Sequence, residues 1–229
     1  MRIAKYIART GAFSRREAEH IILQGKVSIG NEVITNLAHK LSGNEEIFIN
    51  GKKIPKIEPT RVWIYHKREG LLTANYDPDG RETIFSDINL GVNHVIPVGR
   101  LDKNTEGLLL LTNDGDYSRK LELPANNFER TYLVKVFGIP DKEVLKKLEK
   151  GIIIDGVEYK KIIVKIEEQS LNNAWLEITL IEGKNREIRN VMNYLGYRIK
   201  RLIRIAYGPY KLGKLQKGKI IEVETKCLE

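Results

Sequence analysis

The chain has 229 residues, with 39 Lys and Arg against 30 Asp and Glu for a formal net charge of +9, and 41% of its residues are hydrophobic. That length predicts one large domain or two smaller ones, with enough apolar material for a core and too little bias for disorder or a fibre. No apolar run approaches the roughly 20 residues of a spanning helix, and no signal-peptide apolar block follows the N-terminus. The single cysteine, Cys227, leaves no material for an internal disulfide, a CxxC metal site or a cysteine protease's buried nucleophile. A cytoplasmic protein with no membrane partner is expected.

In chain order, Ile3, Ala4, Ile7 and Ala8 recur at helical spacing, and Gly11 ends that helix. Ser14-Arg15-Arg16-Glu17 forms a capping box that starts a second helix, which stops at Gly25. Val27, Ile29 and Val33 around Gly30-Asn31, then Ile47 and Ile49 running into Asn50-Gly51, predict short strands and hairpin turns. Lys52 to Pro59 reads as a linker, which sets domains at 1–58 and 59–229. Beyond it come strand-like runs at Val62–Tyr65, Leu108–Leu111, Tyr132–Phe137, Ile152–Ile154, Ile162–Ile166 and Trp175–Ile181. Two helices interrupt them: one capped by Asp141 and ended by Gly151, the other from about Asn185 to Leu195, ended by Gly196. Many β runs with few helices predict an α+β fold with a mixed, largely antiparallel sheet.

Charge is unevenly placed. Residues 1–58 hold ten Lys and Arg against six acids, and Lys184 to Lys219 hold eleven against Glu187 alone. Two basic segments predict two surfaces for a polyanion, because cations that neutralise phosphates release condensed counterions. Neither segment carries the exposed aromatic and leucine face of an interfacial helix. In the first segment Arg2, Lys5, Arg9, Arg15 and Arg16, with Lys26, form a row with few interleaved acids, so i,i+4 pairs are not expected to tie them up.

The four histidines lack zinc-ligand spacing and no phosphate-binding glycine loop occurs, so neither metal nor cofactor is expected. Thr112 to Asp116 lacks the downstream ligands of a calcium loop and reads as an Asx turn before a helix. The densest chemistry is Gly99 to Gly107, which runs into Leu108–Leu111 and sets an acid, Asp102, beside the core. Taken alone, these residues favour a structural Asp102 paired with Arg100 or a neighbour over a reacting acid.

Lys5 to Glu19, followed by Gly25-Lys26-Val27, resembles the RNA-binding module named after ribosomal protein S-four. Gly99-Arg100-Leu101-Asp102-x-x-Thr105-x-Gly107 through Gly115 resembles the active-site signature of the ribosomal-RNA pseudouridine synthases, in the branch that carries this module. Arg130 to Val136 resembles that family's tyrosine strand and Glu182 to Met192 its basic helix, so the likeness runs from Arg2 to about Val223. It implies that Asp102 is an essential acid that either attacks C1′ or removes the C2′ proton. Arg189 would pair with it, Tyr132 would stack near the flipped base, and Met192 would pack under that base. The resemblance further implies RNA contacts from Arg2, Lys5, Arg15, Arg16, Lys26, Arg100, Lys184, Arg186 and Arg204. The activity it implies is conversion of uridine to pseudouridine in ribosomal RNA, either free or within a subunit precursor, by a monomer. Asn185 to Arg189 is similar to the large-subunit enzymes; a small-subunit enzyme and a non-catalytic assembly factor are the alternatives.

Overall fold

A computed structural model describes residues 1–88, 90–92 and 94–228. The chain packs as two compact units: Met1–Arg61 with Leu90–Ile96 and Thr112–Gly115, and Val62–Asn89 with Pro97–Leu111 and Asp116–Glu229. The first unit thus takes in two segments from beyond the expected boundary.

In the first unit, helices α1 (Ile3–Arg9) and α2 (Arg15–Leu23) cover an antiparallel sheet of order β2-β1-β3-β4. Its strands are β1 (Val27–Ile29), β2 (Glu32–Ile34), β3 (Ile47–Ile49) and β4 (Lys52–Lys53). The capping box forms as the sequence predicts: Glu17 N donates to Ser14 Oγ at 3.3 Å, and Ser14 N to Glu17 Oε2 at 2.7 Å. Ile3, Ile7 and Ile22 are fully buried with Val27 and Ile34, each such side chain stabilising the fold by about 2 kcal/mol. Asn50 and Gly51 both take positive φ in the two-residue turn between β3 and β4, which only residues tolerant of the left-handed region allow.

Two expectations change here. Lys52 and Lys53 belong to the sheet rather than to a linker, because the Asn50-Gly51 turn folds them back onto β3. Val33 lies in β2 as expected; it alternates outward at 58% exposed, and its neighbour Ile34 faces the core. Arg9 is not a free cation: its Nη2 meets Asp114 Oδ2 at 2.6 Å and Thr60 Oγ1 at 3.0 Å, and its Nη1 donates to Asn113 O at 2.9 Å. Asn113 in turn accepts from Arg61 N and donates to Pro59 O. The polar Thr112-Asn113-Asp114 run therefore holds chain rather than calcium.

The later elements are β5 (Val62–Lys67), β6 (Ile96–Pro97), β7 (Glu106–Thr112), α3 (Gly115–Glu122), β8 (Arg130–Phe137), α4 (Lys142–Lys147), β9 (Ile152–Ile154) and β10 (Val157–Tyr159). They continue with β11 (Ile162–Gln169), β12 (Asn173–Leu180), α5 (Glu187–Tyr194), β13 (Ile199–Tyr207), β14 (Tyr210–Lys211) and β15 (Ile220–Val223). A nine-stranded sheet runs β11-β12-β8-β13-β7-β5-β15, with β14 on β13 and β6 on β7. The β13–β7 pair is parallel, while β11–β12, β12–β8, β8–β13, β13–β14 and β15–β5 are antiparallel. Leu108 to Leu111 are fully buried, so this uninterrupted apolar run is a strand covered on both faces. Among the described residues, no helix is long and apolar enough to cross a membrane.

Candidate active site

The turn that carries Asp102 lies between β6, which ends at Pro97, and the start of β7, and its carbonyls from Leu101 to Thr105 all have partners. Thr105 N donates to Asp102 O at 3.0 Å, closing the turn. Thr73 Oγ1 receives Leu101 N at 3.2 Å and donates to Leu101 O at 2.9 Å. Gly70 N donates to Lys103 O, and Arg189 Nη2 to Asn104 O at 2.5 Å. Beneath the turn lies Lys67, fully buried, whose Nζ donates to the carbonyls of Arg68, Asp102, Lys103 and Thr105 at 3.0 to 3.2 Å. Burial pushes this ammonium down to about 8, against the pull of Asp102, Glu69 and Glu106.

The next residues fix the turn to the sheet. Glu106, 3% exposed, takes Arg201 in a fork at 2.6 and 2.9 Å and also pairs with Lys217. These cations hold its carboxyl down at about 2. Gly107 has φ +102° and lies against the backbone of Arg204, where no side chain fits.

Asp102 opens into a cavity of about 230 Å³ whose walls include Arg100, Thr105, Tyr132, Arg186, Ile188, Arg189, Leu202 and Arg204. Its Oδ2 stands 3.7 Å from Arg186 Nη1 and 3.8 Å from Arg189 Nε. The Arg189 guanidinium is pushed down by burial and by Arg186, and Asp102 opposes this. Arg186 precedes α5 in the left-handed region at φ +52°, a conformation that costs an L-residue about 1 kcal/mol. A local bond steadies it, with Lys184 N donating to Glu187 Oε2 at 3.0 Å. The Glu187 carboxyl, 4% exposed, is raised to about 7 by burial, with Lys184 N–H opposing and the Glu182 charge adding to it. A carboxylate flanked by two guanidiniums in a cavity lined by both charged and apolar side chains is equipped to attack an electron-poor carbon or to take a proton from one.

The structure brings Asp102, Tyr132, Arg100, Lys184, Arg186, Arg189 and Arg204 to one cavity. Met192 is not there: it is 1% exposed in the core, and Ile188, one turn earlier on α5, takes the cavity wall instead. Arg204, expected to contact RNA, is a buried residue of β13, 2% exposed, that lines the cavity. Lys184 is exposed, but its ammonium is held by Glu182 at 2.9 and 3.0 Å and by Glu158 O. In the first unit Arg2, Arg16 and Lys26 are exposed and Lys5 is half-buried. Arg15, against expectation, forms an i,i+4 pair with Glu19 at 3.2 Å. Sequence reasoning missed Lys67, Glu106 and Arg201. The one available signal was a lysine closing an apolar strand just ahead of a glycine turn.

The family described as RNA pseudouridylate synthase matches residues 61–194, and the S4 domain matches residues 1–47. The chain is 42% identical over 228 residues to a Rickettsia prowazekii (strain Madrid E) protein named as an uncharacterized RNA pseudouridine synthase, covering 100% of this chain and 96% of that one. It is 38% identical over 221 residues to ribosomal large subunit pseudouridine synthase B of Bacillus subtilis (strain 168), covering 95% and 89%. A crystal structure of a pseudouridylate synthase superimposes with a TM-score of 0.69 at 25% identity over 98% of this chain and 96% of that one.

Proposed function

Because the chain belongs to the RNA pseudouridine synthase family and carries an S4 domain, we propose that it isomerises a uridine of large-subunit ribosomal RNA, with Asp102 as the reacting acid. The observation that carries this reading is the Asp102 carboxylate facing Arg186 and Arg189 across the cavity that also contains Tyr132. The reaction frees uracil from C1′, turns it and rejoins it through C5, so water must be kept from the open sugar. The turn held by Lys67, Thr73 and Arg189 keeps the carboxylate in place without the help of the substrate. Tyr132 offers a ring face to a base extruded from its stack. The choice of subunit rests on the Bacillus subtilis relative, whose name states it.

The test is to incubate unmodified large-subunit and small-subunit ribosomal RNA separately with the protein, then map pseudouridine by carbodiimide adducts that stop reverse transcription. A new stop in the large-subunit RNA alone is expected. A stop confined to small-subunit RNA overturns the choice of subunit.

A further inference from the structure

We propose that Arg204 is the cation that stabilises the uracil anion formed when the C1′–N1 bond breaks. The proposal rests on the reading that the Asp102 cavity is the reaction site. Arg204 is 2% exposed, and its Nε donates to Leu108 O at 2.8 Å. Its guanidinium lies 4.9 Å from the centre of the Tyr207 ring. Among the described residues, its buried Nη2 has no hydrogen-bond partner and no carboxylate pairs with it. The other cations of the cavity are engaged or exposed. Arg186 and Arg189 face Asp102, and Lys184 holds Glu182. Arg130 donates to Ile181 O and to the Tyr207 hydroxyl, and Arg100 is exposed. An unpaired buried cation is strongly destabilising unless something compensates it.

Its position says what does. On β13, Arg204 pairs across the strands with Tyr132 of β8 and with Gly107 of β7. Residues paired across strands share a face, and Tyr132 and Arg204 both line the cavity. Uracil bound as part of a uridine is neutral. On cleavage the bonding pair goes to N1 and spreads over O2 and O4. C1′ is then either taken by the Asp102 carboxylate as an ester or left in a 1′,2′-alkene after Asp102 has accepted the C2′ proton. Once the ring has turned, the anion's electron pair forms the C5–C1′ bond, and this either expels the carboxylate or returns the proton to C2′. The C5 proton leaves and N1 gains one, so nothing is consumed. A fixed cation that meets charge only after cleavage favours the transition state over the bound substrate.

The experiment compares wild type, Arg204→Met, Arg204→Lys and Asp102→Asn in single turnover, using large-subunit RNA transcripts made with uridine or with 5-fluorouridine, whose base leaves more readily. Arg204→Met is expected to slow glycosidic cleavage of the uridine transcript roughly 100- to 1,000-fold, the loss typical of one anion-stabilising donor, with RNA affinity unchanged. The loss should be markedly smaller on the 5-fluorouridine transcript, and Arg204→Lys should restore part of the rate. A purely structural arginine predicts equal losses on both transcripts, and that result overturns the proposal, as does an unchanged rate. An Asp102→Asn variant with normal turnover would instead overturn the site reading itself. Should the Arg204 variants not fold, wild-type protein is titrated with 5-nitrouracil, ionised at mildly alkaline pH, and with uracil. Tighter binding of the anion supports the proposal, and binding no tighter than that of uracil, undetectable binding of both included, overturns it.

Discussion

A methyl group placed on Gly107 would stand 2.3 Å from the carbonyl oxygen of Arg204 and 2.7 Å from its nitrogen. Both atoms are backbone, so nothing can swing aside, and φ at Gly107 is +102°. Gly107→Ala is therefore expected to cost about 3 kcal/mol through overpacking and strain and to shift the Asp102 turn. Thermal unfolding and turnover on ribosomal RNA check this. A variant that melts like wild type contradicts the close approach.

Lys67 binds the carbonyls of Asp102, Lys103 and Thr105 from below. Lys67→Met keeps the stem and removes these bonds together with the one to Arg68 O. Its turnover should fall by about 100-fold, the scale of a displacement near 1 Å at a reacting group, while RNA affinity stays near wild type because the ammonium is buried. Loss of affinity in step with turnover would place Lys67 in RNA binding instead.

Glu106 and Arg201 form a fork under the turn, with Glu106 almost wholly buried. A double-mutant cycle with Glu106→Gln and Arg201→Met should give a coupling of about 2 kcal/mol in unfolding free energy. Additive effects would mean that the pair is not coupled in solution.

Glu187 links stability to pH. Its folded carboxyl holds a proton up to about 7, whereas the unfolded chain releases it near the ordinary value of 4.5. Between these values the folded state binds the extra proton, so stability falls as pH rises through the window and levels off above it. Glu187→Gln removes this loss and keeps an acceptor for Lys184 N. On going from pH 5 to pH 8 it should gain on the order of 2 kcal/mol relative to wild type, since each pH unit across that window is worth about 1.4 kcal/mol. Equal pH dependence in the two proteins would contradict the assignment.

What was legible in the sequence was local or carried by a signature. The Ser14–Glu17 capping box and the Asn50-Gly51 turn each depend on adjacent backbone groups, and each is where the sequence predicts it. The turn around Asp102 was found because its residues lie together. Strand β13 escaped because Lys200, Arg201 and Arg204 break its apolar pattern, and two of those cations have partners that only the fold supplies: Glu106, 95 residues earlier in the chain, and the carbonyl of Leu108, 96 residues earlier. The same holds for the basic segment as a whole. Lys184, Arg186, Arg189, Arg201 and Lys217 pair with acids, which leaves Arg198, Lys200, Lys211, Lys214 and Lys219 exposed for a polyanion. Lys67 was hidden for a related reason, since a charged residue in sequence reads as solvated until a ring of carbonyls is seen around it.

If Asp102 is the reacting acid, tritium release from C5-labelled, unmodified large-subunit ribosomal RNA depends on its carboxylate. Wild-type protein should release tritium, and Asp102→Asn, shown to be folded and to bind the same RNA, should release none. Release by the Asp102→Asn variant at a rate near wild type would mean that another group does the chemistry.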